Sequence, residues 1–216
     1  ELELNGNERR ACRRLLLATG GARGSFPGDW LATLGHGWIP PVPTLVWKGN
    51  VNTNWDFAAT TNWLFGGSPS TYFADGATAI FNDTATTSNV NLTANLTPYS
   101  LFFSNSTLNY TVSSANGSGI GGTARLDKFG TGTVTLNNTN TFTGDLNIAV
   151  GGVTVNGLLG GGNYAGNIAN YGTFTYSGAA TQTLSGAISL TGPLYKSGAG
   201  TLTLSGDNSY TGSTYQ

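Results

Sequence analysis

The chain has 216 residues, with nine Lys or Arg against ten Asp or Glu, and only 9% of its residues are charged, against about 25% in ordinary soluble domains. That excludes helical bundles, coiled coils and charged tails, and a net charge of −1 leaves no footprint for nucleic acid or an anionic lipid surface. Hydrophobic residues at 38% and aromatic residues at 11% suffice for a folded core, and a single cysteine, Cys12, excludes an intrachain disulfide framework.

In chain order, the first segment is 1–43. It holds five of the nine bases and all three glutamates, and it closes on Pro40, Pro41 and Pro43, which break helix and central strand alike. Its RRACRRLLLATGGA stretch has the basic flank and small-residue end of an export signal, but an apolar centre of about four residues where about 7–15 are needed. It reads as a degenerate leader, an engineering remnant, or a short Arg-rich helix from about Asn7 to Ala18 capping the main domain, 44–216. No apolar run reaches the roughly 18 residues of a membrane helix, so no membrane insertion is expected.

All five tryptophans precede residue 64, and Trp47, Trp55 and Trp63 are spaced eight apart. They suit either a sugar-stacking platform, with Asn50, Asn54 and Asn62 as hydrogen-bonding partners, or a hydrophobic plug over the first coil of a repeat fold; the plug is the preferred reading. Alternating strands follow at Thr78–Phe81, Val90–Leu92, Leu101–Phe103 and Leu108–Val112, separated by polar turns. The glycine-rich GSGIGG at 117–122 opens no helix pattern and reads as a coil corner rather than a phosphate loop.

A repeat emerges after residue 120. LDKFGTGTVTLNNTNTFTGDL (126–146) and LYKSGAGTLTLSGDNSYTGST (194–214) share ten identities in 21 positions, offset by 68. A shorter unit, Gly-x-apolar-Thr-apolar, starts at Gly132, Gly151, Gly172 and Gly200, with spacings of 19, 21 and 28. Repeats of this length with alternating strands mark a stacked solenoid. Val134, Val153, Phe174 and Leu202 are then expected in one inward column, with threonines facing solvent. Glycine and asparagine would serve corners needing φ > 0. Residues 42–216 would make roughly seven to nine coils, about 35–45 Å of stack at the usual strand spacing.

The motif K-x-G-x-G-T-[LV]-T-L followed by N-x-[FY]-T-G, at Lys128–Gly144 and Lys196–Gly212, resembles the autotransporter-associated β-strand repeat, also called the passenger-associated transport repeat. Trp47-Lys48-Gly49, Asn54-Trp55, Asn62-Trp63 and Ala79–Asp83 are similar to the start of many such proteins, so the resemblance covers about 45–216. It implies an all-β fold, a right-handed single-stranded parallel β-helix with an irregular N-terminal cap, exported to the cell surface or beyond. The chain stops soon after a repeat motif without a C-terminal barrel pattern, which reads as a truncated passenger piece.

Chemistry is sparse. His36 and Cys12 are the sole histidine and cysteine, both before the solenoid, so a Ser-His-Asp triad, a Cys-His pair or a zinc site within it is excluded. No metal and no cofactor is expected. Paired aspartates remain for glycoside hydrolysis or a lyase, with Asp83 and Asp127 as candidates. Each also has a plain role, Asp83 as a turn residue and Asp127 as an ion-pair partner of Arg125 or Lys128. The leading expectation is a non-enzymatic secreted or surface-displayed passenger, a stalk or adhesin whose partners are glycan or extracellular matrix. The alternative is a carbohydrate-active module built on Trp47, Trp55 and Trp63 or on the aspartates. End-to-end self-association through the last coil is left open.

Overall fold

A computed structural model describes residues 41–216, of which 42–216 form one compact unit. The segment carrying Cys12, Trp30, His36, Trp38 and the 7–18 helix expectation lies outside the described residues. Among the described residues, twenty strands, β1 to β20 in chain order, fall into three sheets, which are the three faces of a solenoid.

The first face stacks β1 (Thr44–Trp47), β5 (Thr78–Asn82), β7 (Ser100–Ser104), β9 (Arg125–Phe129), β11 (Leu146–Ile148), β14 (Ile168–Asn170) and β17 (Ile188–Ser189), all parallel. The second stacks β2 (Asn54–Trp55), β6 (Asn89–Leu92), β8 (Tyr110–Ser113), β10 (Thr133–Leu136), β12 (Gly152–Val155), β15 (Thr173–Tyr176), β18 (Leu194–Lys196) and β20 (Thr214–Tyr215). The third is shorter: bridges Leu96–Ile120 and Thr139–Leu158 lead into β13 (Asn163–Tyr164), β16 (Gln182–Leu184) and β19 (Leu202–Leu204). Among the described residues, antiparallel pairing is confined to β3 (Trp63–Phe65) and β4 (Ser68–Thr71). There β3 lies along the outer edge of β1 with Trp47 opposite Trp63, and β4 pairs with β3. This hairpin covers the edge of β1 facing away from the stack, which would otherwise template foreign strands.

Alternation along each strand sends every second side chain inward. Leu45, Ala79, Leu101, Leu126, Leu146, Ile168 and Ile188 form an unbroken, buried ladder on the first face. On the second, Tyr110, Val134, Val153, Phe174 and Leu194 do the same. Leu202 is not in that column, contrary to expectation; it sits on the third face above Gln182. The reason is the offset between repeats: Leu126 to Ile188 is three turns in 62 residues, and Leu194 lies one face further on. The second motif copy is therefore turned by one face relative to the first.

The stack makes about six turns, not seven to nine, or roughly 29 Å at 4.8 Å per rung. The early residues explain the shortfall, because β2, β3, β4 and their loops build the covering hairpin and its surroundings without adding rungs to the first face. Corner glycines also differ from expectation. Gly130 has φ +80, as a left-handed corner requires. Gly166, Gly186 and Gly206 lack positive φ, but a Cβ on each would stand 2.2–2.6 Å from the carbonyl oxygen of the glycine one coil below. Close backbone approach, rather than dihedral freedom, selects glycine in that column.

Candidate functional site

Asp83 follows β5 at a corner and is exposed. Its carboxylate accepts backbone N–H groups of Ser106, Thr107 and Leu108, at 2.8–3.0 Å. These bonds, led by Leu108 and Ser106, hold its pKa down to about 2. It thus caps the turn of the next coil, and Asp75 and Asp145 likewise accept backbone N–H groups of Thr97 and Asn167 one coil on.

Asp127 lies two rungs away on β9, on the outward side beside Phe102 and Asn147. It is fully buried and accepts from Arg125 Nε at 2.7 Å and Asn147 Nδ2 at 3.2 Å. Two rungs separate the strands of Asp83 and Asp127 by about 10 Å, and no hydrogen-bonding partner is common to both carboxylates. Each is engaged in holding a corner or a strand surface. Among the described residues no group of three or more His, Cys, Asp or Glu comes together as a metal site.

Trp47, Trp55 and Trp63 are 0%, 0% and 1% exposed. They form one aromatic cluster with Phe73 and Phe81: Trp47–Trp63 centroids lie 5.2 Å apart edge-on, Trp55–Phe73 5.0 Å, and Trp55–Phe81 5.3 Å. Asn62, also buried, ties the loops around them, donating from Nδ2 to Asn54 O and accepting Val51 N–H at its Oδ1. No indole face of the three is open to a ligand, and the cluster fills the interior of the first coil beneath the covering hairpin.

Sequence reasoning offered Lys128 as an ion-pair partner of Asp127, but Asp127 pairs with Arg125 and Lys128 turns to the other side of the strand. It points inward from β9 between Phe103 and Ile148 and is fully buried. Its ammonium donates to the carbonyls of Phe129 (2.8 Å), Gly130 (2.7 Å) and Asn105 (3.4 Å). Burial pulls its pKa down to about 8, partly opposed by the Asp83 charge. Lys196 donates to the carbonyl of Gly198 in the same manner. The K-x-G spacing is thus mechanical: the lysine curls over the corner and caps the carbonyl two residues on. Inward amides serve a similar end, Gln182 exchanging two hydrogen bonds with the backbone of Leu159 and Asn140 accepting Ile120 N–H.

The outward side of the second face carries no acid or base at its strand positions. In register it presents Thr111, Thr135, Thr154, Thr175, Tyr195 and Tyr215 in one column. Asn137, Asn156, Ser177 and Ser197 follow one residue past the inward column in β10, β12, β15 and β18. Asn156 donates to Asn137 at 2.8 Å, and Ser177 and Ser197 hydroxyls are 2.7 Å apart.

Comparison with known families adds one finding to this geometry. Residues 126–157 and 194–215 match the passenger-associated-transport-repeat. The first match spans β9 to β12 and the second β18 to β20. Both matched segments lie on the parallel solenoid. No curated protein and no solved structure matches the chain. The two matched segments contain both corner lysines, Lys128 and Lys196, and start on different faces. The first match covers about one and a half winds and the second about one, and each opens with a lysine-capped corner although they begin on different faces.

Proposed function

We propose that residues 42–216 are a displayed passenger segment whose work is mechanical and adhesive: a rigid stalk outside the cell that holds sparsely charged, hydroxyl-rich faces toward its surroundings. The transport-repeat match on two winds of the solenoid carries this reading. The architecture supports it, because each coil bonds only to its neighbours, so folding can propagate rung by rung from one end. A chain emerging through a membrane could fold in that order without waiting for distant segments.

The low charge suits such a surface, which attracts neither nucleic acid nor lipid headgroups by its field. The covering hairpin protects the first rung from strand addition. The test is accessibility on intact cells of the source organism, using antibody against 42–216 with and without external protease. Labelling that protease abolishes supports display. Signal seen only after lysis overturns it.

A further inference from the structure

We propose that the outward side of the second face is a binding track for a neutral polysaccharide, floored by threonine, asparagine and serine side chains and closed by the ring of Tyr195. Binding is read on the purified chain, so this inference and the display reading fail independently.

The floor is regular. Thr135, Thr154 and Thr175 stand on successive rungs about 4.8 Å apart, comparable with the length of one hexose unit. Beside them the Asn137–Asn156 and Ser177–Ser197 contacts bond rung to rung, which fixes donors and acceptors before any ligand arrives and lowers the ordering cost of binding. At Tyr195 the column changes from short to tall side chains. Tyr195 and Tyr215 are 37% and 47% exposed and stack with centroids 4.6 Å apart and planes 13° apart.

The nearly parallel planes put Tyr215 over one face of Tyr195. The face of Tyr195 turned away from Tyr215 therefore looks over Thr175. This makes a ledge: a flat aromatic wall at the end of a hydroxyl floor. A pyranose ring presents C–H groups to such a wall and hydroxyls to such a floor. The outward strand positions of this face hold no charged side chain; Lys196 of β18 lies in register with the inward Tyr176 and donates to the carbonyl of Gly198. A carboxylated or sulfated polymer would lose hydration there without a compensating partner, whereas a neutral one would not.

The experiment is native affinity electrophoresis of the 216-residue chain through gels containing laminarin, hydroxyethyl cellulose or galactomannan, with polygalacturonate as the anionic counterpart. Retardation by at least one neutral polymer is expected, weakened about 3- to 10-fold by Tyr195→Ala. It should be weakened likewise by Thr175→Trp, which fills the ledge without removing the wall, and kept in Tyr195→Phe. Tyr171→Ala removes a tyrosine 60% exposed after β14, outside this face, and should leave retardation unchanged. Far-UV circular dichroism checks folding; if Tyr195→Ala unfolds, Thr175→Trp and Tyr195→Phe carry the result. The proposal is overturned by no retardation in any neutral gel, by retardation in polygalacturonate alone, by equal losses in Tyr171→Ala, or by undiminished retardation in both ledge variants.

Discussion

Lys128 shows how a single residue reconciles charge with an apolar column. Its ammonium is paid for in carbonyl contacts, yet its pKa still falls from 10.5 to about 8, so the folded chain binds its proton less tightly than the unfolded chain. Below pH 8 both states are protonated and the residue adds no pH dependence. Between pH 8 and 10.5 the unfolded state holds more protons, so stability should rise, by about 2 kcal/mol at pH 10. Above pH 10 the sign reverses, because burial raises the pKa of Tyr110 and Tyr164 and the unfolded tyrosines lose protons first. Urea midpoints from pH 7 to 11 should therefore pass through a maximum near pH 10, and Lys128→Met should flatten the rising limb. Gly186→Ala tests the close-approach column: its Cβ would lie 2.2 Å from Gly166 O. We expect destabilisation of about 1–3 kcal/mol, although φ there is unremarkable. Neither effect could be read from the sequence. A lysine in an alternating strand looks like a solvated residue until the corner carbonyls are in view, and a glycine chosen for contact looks the same as one chosen for φ.

At the level of strands and corners, what repeats along one strand was legible and what depends on stacking was not. The inward alignment of Val134, Val153 and Phe174 follows from period-two alternation alone and is observed. The placing of Leu202 failed because spacing counts residues, while a face is defined by what lies one coil below. The site candidates diverge in the same way: Asp83 is recognisable as a corner acid, but its three amide partners come from 106–108, one coil later. The tryptophan spacing of eight carries no information on whether the rings turn in or out. The β1–β3 antiparallel pairing turns Trp47 and Trp63 into the same interior. Asp83 makes a testable acid-limb prediction. Its depressed pKa means that its stabilising contribution is complete above the ordinary carboxylate value of 3.8 and is lost as pH falls toward 2. Thermal scans between pH 5 and 2 should show Asp83→Asn less acid-sensitive than the parent, from a lower starting stability.

Across residues 42–216, nearest-neighbour stacking sets the energetics. Leu126 and Leu184 are both buried, on different faces and in coils with no shared rung. Each leucine-to-alanine change should cost about 2–5 kcal/mol, and the double variant should equal the sum within about 0.5 kcal/mol. A clear excess or deficit in equilibrium denaturation would show cooperativity reaching further than one coil. The two motif copies lie three turns and one face apart, which has a bearing on how such chains change length. Residues 126 and 194 open equivalent winds although they start on different walls. A splice that removes everything from 126 to 193 would hand the second motif the starting wall of the first, and its leucine and lysine would meet Leu101 and Phe103, as Leu126 and Lys128 do now, in place of Phe174 and Tyr176. Loss or duplication of such a block would therefore change the length of the solenoid by three turns and one face, a step that is not a whole number of turns.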